Sequence, residues 1–288
     1  MGLRPAERAF LGLRPVERFA GLRPVERFVL GYLTVMIVLV VVFRDAVDRW
    51  PLLVAGYAAL TLPPAVLRPG FLRFAYPVMV LPVAFEAAGQ AAFMVHGRPL
   101  DDLVTAWERA AFGVHPNVAL EWIASPPLTE VLTCFYSSFY AYFVLPLFLY
   151  ARGRREAAER CAFAMVAAGL VCYLGFVLVP VNGPVWALRE EFASSRLAGY
   201  VVTPVQDFLM ARFDPAGTCV PSSHVAVAWA ATLSLRRFLP RPARLIMYVV
   251  TAGLTVAVVY TRYHYVSDVV LGLLVAVIAH RATRGRSG

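Results

Sequence analysis

The sequence contains no lysine, and charged side chains of every kind make up only 16% of it. Ordinary soluble domains carry roughly 25%. With 288 residues and a 60% hydrophobic content, the chain has too few charges to cover its apolar surface in water. A water-soluble globular fold is therefore excluded. A bilayer removes the difficulty, because lipid tails are as apolar as the side chains they face. The net charge of +9 rests on arginine alone. Those arginines cluster at the ends of apolar runs, which is how topology signals and contacts to anionic lipid headgroups are distributed. Nucleic acid is not expected as a partner.

Cysteine is also scarce. Cys134, Cys161, Cys172 and Cys219 form no CxxC pair and show no metal-ligand spacing with histidine, so neither a disulfide framework nor a metal site is expected. Three of them fall in apolar segments and read as small buried hydrophobes. The first apolar run lacks a small-residue cleavage site, so it is not read as a signal peptide.

What the chain has in quantity is long apolar runs. A membrane-crossing helix needs about 20 apolar residues at 1.5 Å each. Runs of that order occur at 28–43, 51–67, 74–95, 127–150, 158–181, 222–239, 243–261 and 265–280. The expected fold is an all-α, polytopic transmembrane bundle of about eight spans. The second run contains Pro63 and Pro64 and is expected to kink or tilt. Between the third and fourth, 101–124 mixes charged and apolar residues at helical spacing and reads as an interfacial amphipathic helix.

Three domains follow: a basic segment over 1–27, a membrane-embedded domain over 28–282, and a short tail over 283–288. The first carries one phrase three times, GLRPAER from Gly2 and GLRPVER from Gly12 and Gly21. The copies are too short and too few for a solenoid and read as a duplicated basic stretch beside the membrane. Arginines crowd this segment and the connections holding Arg152, Arg154, Arg155 and Arg160, then Arg236, Arg237, Arg241 and Arg244, then Arg281, Arg284 and Arg286. They alternate with arginine-poor connections. The positive-inside rule then puts both termini in the cytoplasm, and 44–50, 96–126, 182–221 and 262–264 outside.

Two phrases on the outer side carry chemistry. CVPSSHVAVAW holds Pro221, Ser222, Ser223 and His224 where the sixth run begins, and YTRYHYVSDVVLG holds Arg262, His264 and Asp268 where the eighth begins. The histidines are separated by two helices and a tight turn, which returns the chain to the same membrane face. His264 and Asp268 stand at i and i+4, so the carboxylate can orient the ring and fix its tautomer. Asp268 sits inside an apolar run, where an ionised group is costly without a partner. Ser222 and Ser223 offer hydroxyls, and the helix start they occupy favours an anion. His224 can carry a proton for a leaving group, and Arg262 presents a fork suited to phosphate. His96, His115 and His280 read as polar tips, and Glu86 and Glu130 as polar contacts within spans. Tyr136, Tyr140 and Tyr142 read as packing aromatics.

These phrases resemble the second and third signature blocks of the type 2 phosphatidic acid phosphatase superfamily. More closely, they are similar to its inositol-phosphorylceramide synthase-like branch. LVPVNGPVW over 178–186 resembles the segment that precedes the active-site loop in that branch. The stretch from Arg73 through Phe112-Gly113, with Tyr76-Pro77, Glu86 and Glu108, is also similar to it. The likeness runs from about residue 20 to residue 280. It implies a six-helix catalytic core and phosphoryl transfer needing no metal and no cofactor. His264 would be the nucleophile that forms a phosphohistidine, Asp268 its orienting partner, and His224 the acid for the leaving group. The substrate would be a membrane lipid at the extracytoplasmic face: phosphatidate, a polyprenyl phosphate or a phosphoinositol lipid.

The likeness is incomplete. The lysine-containing first block is absent, Ser223 stands where glycine is common, and Arg262 precedes His264 by two residues rather than six. Asn182 and Arg189 are candidate phosphate ligands in place of the missing block. Phosphatase and head-group transferase share this motif chemistry and are not separated by it. A CDP-alcohol phosphotransferase needs several aspartates around a divalent metal, whereas here only Asp101-Asp102 stand together. The non-enzymatic alternative is a transporter or scaffold on a degenerate form of the same fold.

Overall fold

The computed structural model describes residues 21–284, so the first two copies of the repeated phrase and the last four residues lie outside it. Within that range the regular structure is helical, apart from one isolated bridge between Val181 and Thr218. In chain order it runs α1 (Pro24–Val42), α2 (Trp50–Ala59), α3 (Pro63–Val66), α4 (Phe71–Ala91), α5 (Asp101–Phe112), α6 (Pro116–Ala119), α7 (Pro126–Ser137) and α8 (Phe139–Ala151). There follow α9 (Arg155–Leu178), α10 (Pro184–Ala187), α11 (Val202–Phe213), α12 (Ser223–Leu235), α13 (Arg241–Tyr260) and α14 (Val266–Arg284).

Among the described residues six segments are long and apolar enough to cross a bilayer: α1, α4, the α7–α8 pair, α9, α13 and α14. The two other expected spans differ. Residues 51–67 break into α2 and α3, because Pro63 and Pro64 have no amide hydrogen to continue the ladder. The sixth run is helical only over the 13 residues of α12. At 1.5 Å per residue that is about 20 Å, short of a ~30 Å hydrocarbon core. Its side chains are almost all buried against α9, α13 and α14, so it has little lipid to match.

The core is organised around α9, the most deeply buried of the long helices. Its inner faces carry Ala157, Ala158, Ala162, Ala164, Ala167 and Ala168, and side chains this small let neighbouring backbones approach closely. Gly175 continues the pattern: a methyl group there would stand 2.5 Å from Pro221 Cδ, so glycine admits the segment leading into α12.

One end of the bundle gathers arginines. Arg23 pairs with Glu159 of α9 at 3.0 Å and with Glu26, while Arg73 of α4 donates to the fully buried Glu26 at 2.8 and 2.9 Å. Arg154 donates to the Phe238 carbonyl just past α12. The third copy of the repeated phrase therefore caps α1 and ties it to α4 and α9. The predicted histidine site lies at the opposite end.

There the expected 101–124 helix is divided. Gly113, in the left-handed region at φ 76°, ends α5, and α6 and a 3-10 turn at Leu120–Ile123 follow. α11 was not anticipated within the 182–221 connection. Glu130 of α7 anchors its start by accepting from the amides of Tyr200, Val201, Val202 and Thr203. Trp107, Phe112, Trp122, Val205, Phe208 and Phe213 are exposed around this end. Such an apolar, aromatic rim suits a membrane interface.

Candidate active site

The site is set by the starts of α12 and α14. The Ser222 amide donates to the Asp268 carbonyl at 3.1 Å. A methyl group on Gly272 would come within 2.7 Å of the Ser222 carbonyl oxygen, so this crossing requires glycine. Ser222 caps α12, its hydroxyl oxygen accepting from the Val225 amide. Glu108 caps α14, accepting from the Ser267 amide at 2.7 Å and the Ser267 hydroxyl at 3.0 Å. Burial holds the Glu108 carboxyl above the usual range despite those bonds.

His264 lies in the turn before α14 rather than on the helix itself. Its amide donates to the Val258 carbonyl, and its carbonyl accepts from Asn117 Nδ2 at 3.0 Å. The contact with Asp268 forms all the same, with Nδ1 3.4 Å from Oδ2. Asp268 Oδ2 also accepts from the Tyr265 amide at 2.8 Å and from the Cys219 thiol at 2.9 Å. Burial, and then the adjacent Asp268 carboxylate, push the Cys219 thiol well above its ordinary range. Asp268 is fully buried, and its second oxygen, Oδ1, has no hydrogen-bond partner among the described residues.

On its other side His264 Nε2 stands 3.4 Å from His224 Nδ1, and His224 Nε2 stands 3.0 Å from the hydroxyl of the buried Tyr136. With both rings neutral, one proton order satisfies the whole row. Tyr136 donates to His224 Nε2, His224 Nδ1–H donates to His264 Nε2, and His264 Nδ1–H faces Asp268. That order leaves the lone pair of His264 on the nitrogen turned towards His224.

Cavities surround the row. One of about 820 Å³ is mostly apolar, lined by Met79, Pro82, Phe85, Phe143, Ser223 and His224. A second, of about 1060 Å³, is polar and has Asp101, Asp102, Arg109, Trp186, Glu190 and Glu191 in its wall. A third, of about 260 Å³, is bordered by Asn182, Arg262 and Tyr263. Asp214 borders all three. Its side chain faces cavity space with protein packed around it, and burial pushes its carboxyl up to about 6, against an opposing pull from His264.

The structure thus brings His224, His264, Asp268, Ser222 and Ser223 into one cluster. The other sequence candidates have different neighbours. Arg262, at φ 66°, is buried and taken up by Glu121 at 2.5 Å, by the Ser194 carbonyl at 2.8 Å and by the Phe192 ring. Asn182 accepts from the Gly217 amide through Oδ1. Its own amide and that of Gly183 donate to Asp101, which also accepts from the Tyr265 hydroxyl. Arg189 is exposed on the wall of the polar cavity beside Glu190. The sequence reading gives Tyr136 only as a packing aromatic, Cys219 only as a cysteine at the head of CVPSSHVAVAW and Asp101 only as half of an aspartate pair, and it does not single out Asp214.

A sequence model described as the PAP2 superfamily matches residues 102–282, more than half of the chain. The chain belongs to the PAP2 superfamily. The match does not reach the inositol-phosphorylceramide synthase-like branch. No curated protein and no solved structure matches the chain. PAP2 membership supports a phosphatase-type phosphoryl-transfer activity. With six long apolar helices, it also fits a multi-pass membrane protein. The matched region contains both histidines, Asp268 and every candidate phosphate ligand.

Proposed function

We propose that this chain is a metal-independent phosphoryl-transfer enzyme acting on a lipid phosphoester. The observation that carries the proposal is the row Tyr136–His224–His264–Asp268, with an apolar cavity beside His224. Lipid tails occupy that cavity while the phosphate reaches the start of α12, where helix geometry leaves first-turn amides without intrahelical partners. His264 Nε2 attacks phosphorus as the bond to the leaving oxygen breaks. His224, which takes up a proton as the phosphate binds, gives that proton to the leaving oxygen. It returns to its neutral form, ready to accept one from the incoming water or alcohol. Asp268 stabilises the positive ring of the phosphohistidine. Water, or a second alcohol, then takes the phosphoryl group and regenerates His264.

Hydrolysis and head-group transfer use the same first half-reaction. The large polar cavity, with its carboxylates and Trp186, gives room for a hydroxyl-rich head group or acceptor. That favours transfer, in line with the likeness of 178–186 to the inositol-phosphorylceramide synthase-like branch. The arginine-rich end of the bundle is the cytoplasmic one, resting on anionic headgroups, and the site opens outside the cell membrane.

The purified chain should release phosphate, or transfer a head group, from at least one of phosphatidate, a polyprenyl phosphate and a phosphoinositol lipid. EDTA should not lower the rate, and His264→Ala should abolish it. Loss of activity in EDTA would contradict the mechanism. A function untouched by His264→Ala would favour the transporter or scaffold reading. For orientation, a cysteine at Arg196 should be labelled by an impermeant thiol reagent in intact cells and one at Arg154 should not. The reverse pattern would move the site to the cytoplasmic face.

A further inference from the structure

Cys219, His264 and Asp268 form a compact triangle of ligand-type atoms. Sγ is 2.9 Å from Oδ2 and 3.4 Å from Nδ1, and Nδ1 is 3.4 Å from Oδ2. All three residues are buried. Tetrahedral zinc, with bonds of about 2.0–2.1 Å to nitrogen or oxygen and about 2.3 Å to sulfur, places its ligand atoms roughly 3.3–3.6 Å apart. Two of the three edges already have that length. The third is held shorter by the thiol hydrogen bond, which disappears when the thiol proton leaves. Asp268 Oδ1, buried and without a partner among the described residues, supplies a further donor on the same carboxylate.

We propose that this triangle is an inhibitory binding site for a soft divalent cation of the zinc or cadmium class. Binding exchanges the Cys219 thiol proton, released to solvent, for bonds to Sγ, to His264 Nδ1 and to Asp268. One thiolate, one carboxylate and a neutral imidazole balance a dication, so the loaded site is neutral. Neutrality matters in an enclosed, low-dielectric position. Chemical class favours zinc and cadmium, since thiolate and imidazole suit them while magnesium and calcium prefer all-oxygen sites.

The consequence for catalysis rests on the function proposed above. A cation on Nδ1 displaces the proton facing Asp268 to Nε2, the tautomer that keeps the ring neutral. Nε2 then has no free lone pair to offer phosphorus. Occupation of the triangle therefore inhibits, and removal of the cation restores the rate.

The test has a binding arm and an activity arm. Cadmium titrated into the purified full-length chain in detergent should bind once per chain at this site and give an ultraviolet thiolate-to-cadmium charge-transfer band. The band should vanish in Cys219→Ser and persist in Cys134→Ser. The buried Cys219 can meet a small alkylating reagent only as the site opens, the same opening that admits the cation. Cadmium should slow that reaction in the unaltered chain, mapped by mass spectrometry, so the result does not depend on one variant folding. In the activity arm, zinc should inhibit turnover reversibly by EDTA. Cys219→Ser, measured against its own zinc-free rate, should need at least about tenfold more zinc for half inhibition, since losing even an outer partner of a metal ligand costs about 10–100-fold in affinity. A band that survives Cys219→Ser, or unprotected Cys219 under saturating cadmium, would overturn the site. Binding at Cys219 in a chain that turns over no lipid phosphate would leave the site standing and sink the proposed enzyme.

Discussion

His224 Nδ1 and His264 Nε2 face one another at 3.4 Å, so the two nitrogens assigned to acid and nucleophile are in direct contact. Phosphorus must come within about 3–3.5 Å of the attacking atom. The proposed mechanism therefore requires the rings to part as substrate binds, leaving His224 to face the leaving oxygen. His264→Ala should abolish turnover of every substrate. His224→Ala should cost about 10²–10⁴-fold with an alkyl leaving group and far less with an activated aryl phosphate, which needs little protonation. Steady-state rates on the two substrate types decide it, and equal losses would count against this division of roles.

Asp268→Asn should preserve the fold and apparent lipid affinity while lowering kcat by orders of magnitude. An amide fits the same space but stabilises a positive ring poorly and can favour the wrong tautomer. The corresponding change in the serine-protease triad costs about 10⁴. Vanadate should inhibit the parent and bind the Asn variant more weakly. A variant that keeps most of its activity would make Asp268 structural.

Tyr136→Phe tests the far end of the row. The ring stays against His224 and Tyr263, but Nε2 of His224 loses its donor at 3.0 Å. A lost buried hydrogen bond of about 1–2 kcal/mol corresponds to a roughly tenfold slower rate with poor leaving groups. A change in KM alone, with kcat intact, would separate Tyr136 from the proton path.

Asp214 predicts a pH effect. Its carboxyl, raised to about 6, is neutral below that value and anionic above it. Because it borders all three cavities, the charge that appears above pH 6 opposes an incoming phosphate. The parent's kcat/KM should fall as pH rises through about 6, and Asp214→Asn should flatten that limb. An identical profile in both proteins would remove Asp214 from substrate capture.

Much of this arrangement was legible in the sequence. Hydropathy located the six long helices, and PSSH with RYHYVSD placed both histidines and Asp268 at one end of the bundle. The helix breaks were less legible. The short α12 is stable because the protein surrounds it, a tertiary fact that no local window contains. α11 depends on a carboxylate 72 residues away in sequence, Glu130 of α7, reaching its first-turn amides. Tyr136 has ordinary sequence surroundings and Cys219 opens the PSSH phrase without any sign of a role, and both acquire their significance only where α7 and the loop before α12 meet the histidines. Arg262 illustrates the converse. Its place in the motif suggested a phosphate fork, but its guanidinium is taken up by Glu121, Ser194 and Phe192, neighbours that motif spacing does not reveal.

The central claim is that His264 carries the phosphoryl group during turnover. The direct measurement is to mix the enzyme with lipid phosphate labelled at phosphorus, quench in alkali within a turnover, and locate the label by peptide mass spectrometry. The account predicts an alkali-stable, acid-labile phosphohistidine at His264, absent from His264→Ala. His224→Ala should accumulate it with an activated substrate if the acid is also needed to activate the acceptor. Label on His224 or on a serine, or turnover with no covalent label at all, would contradict it.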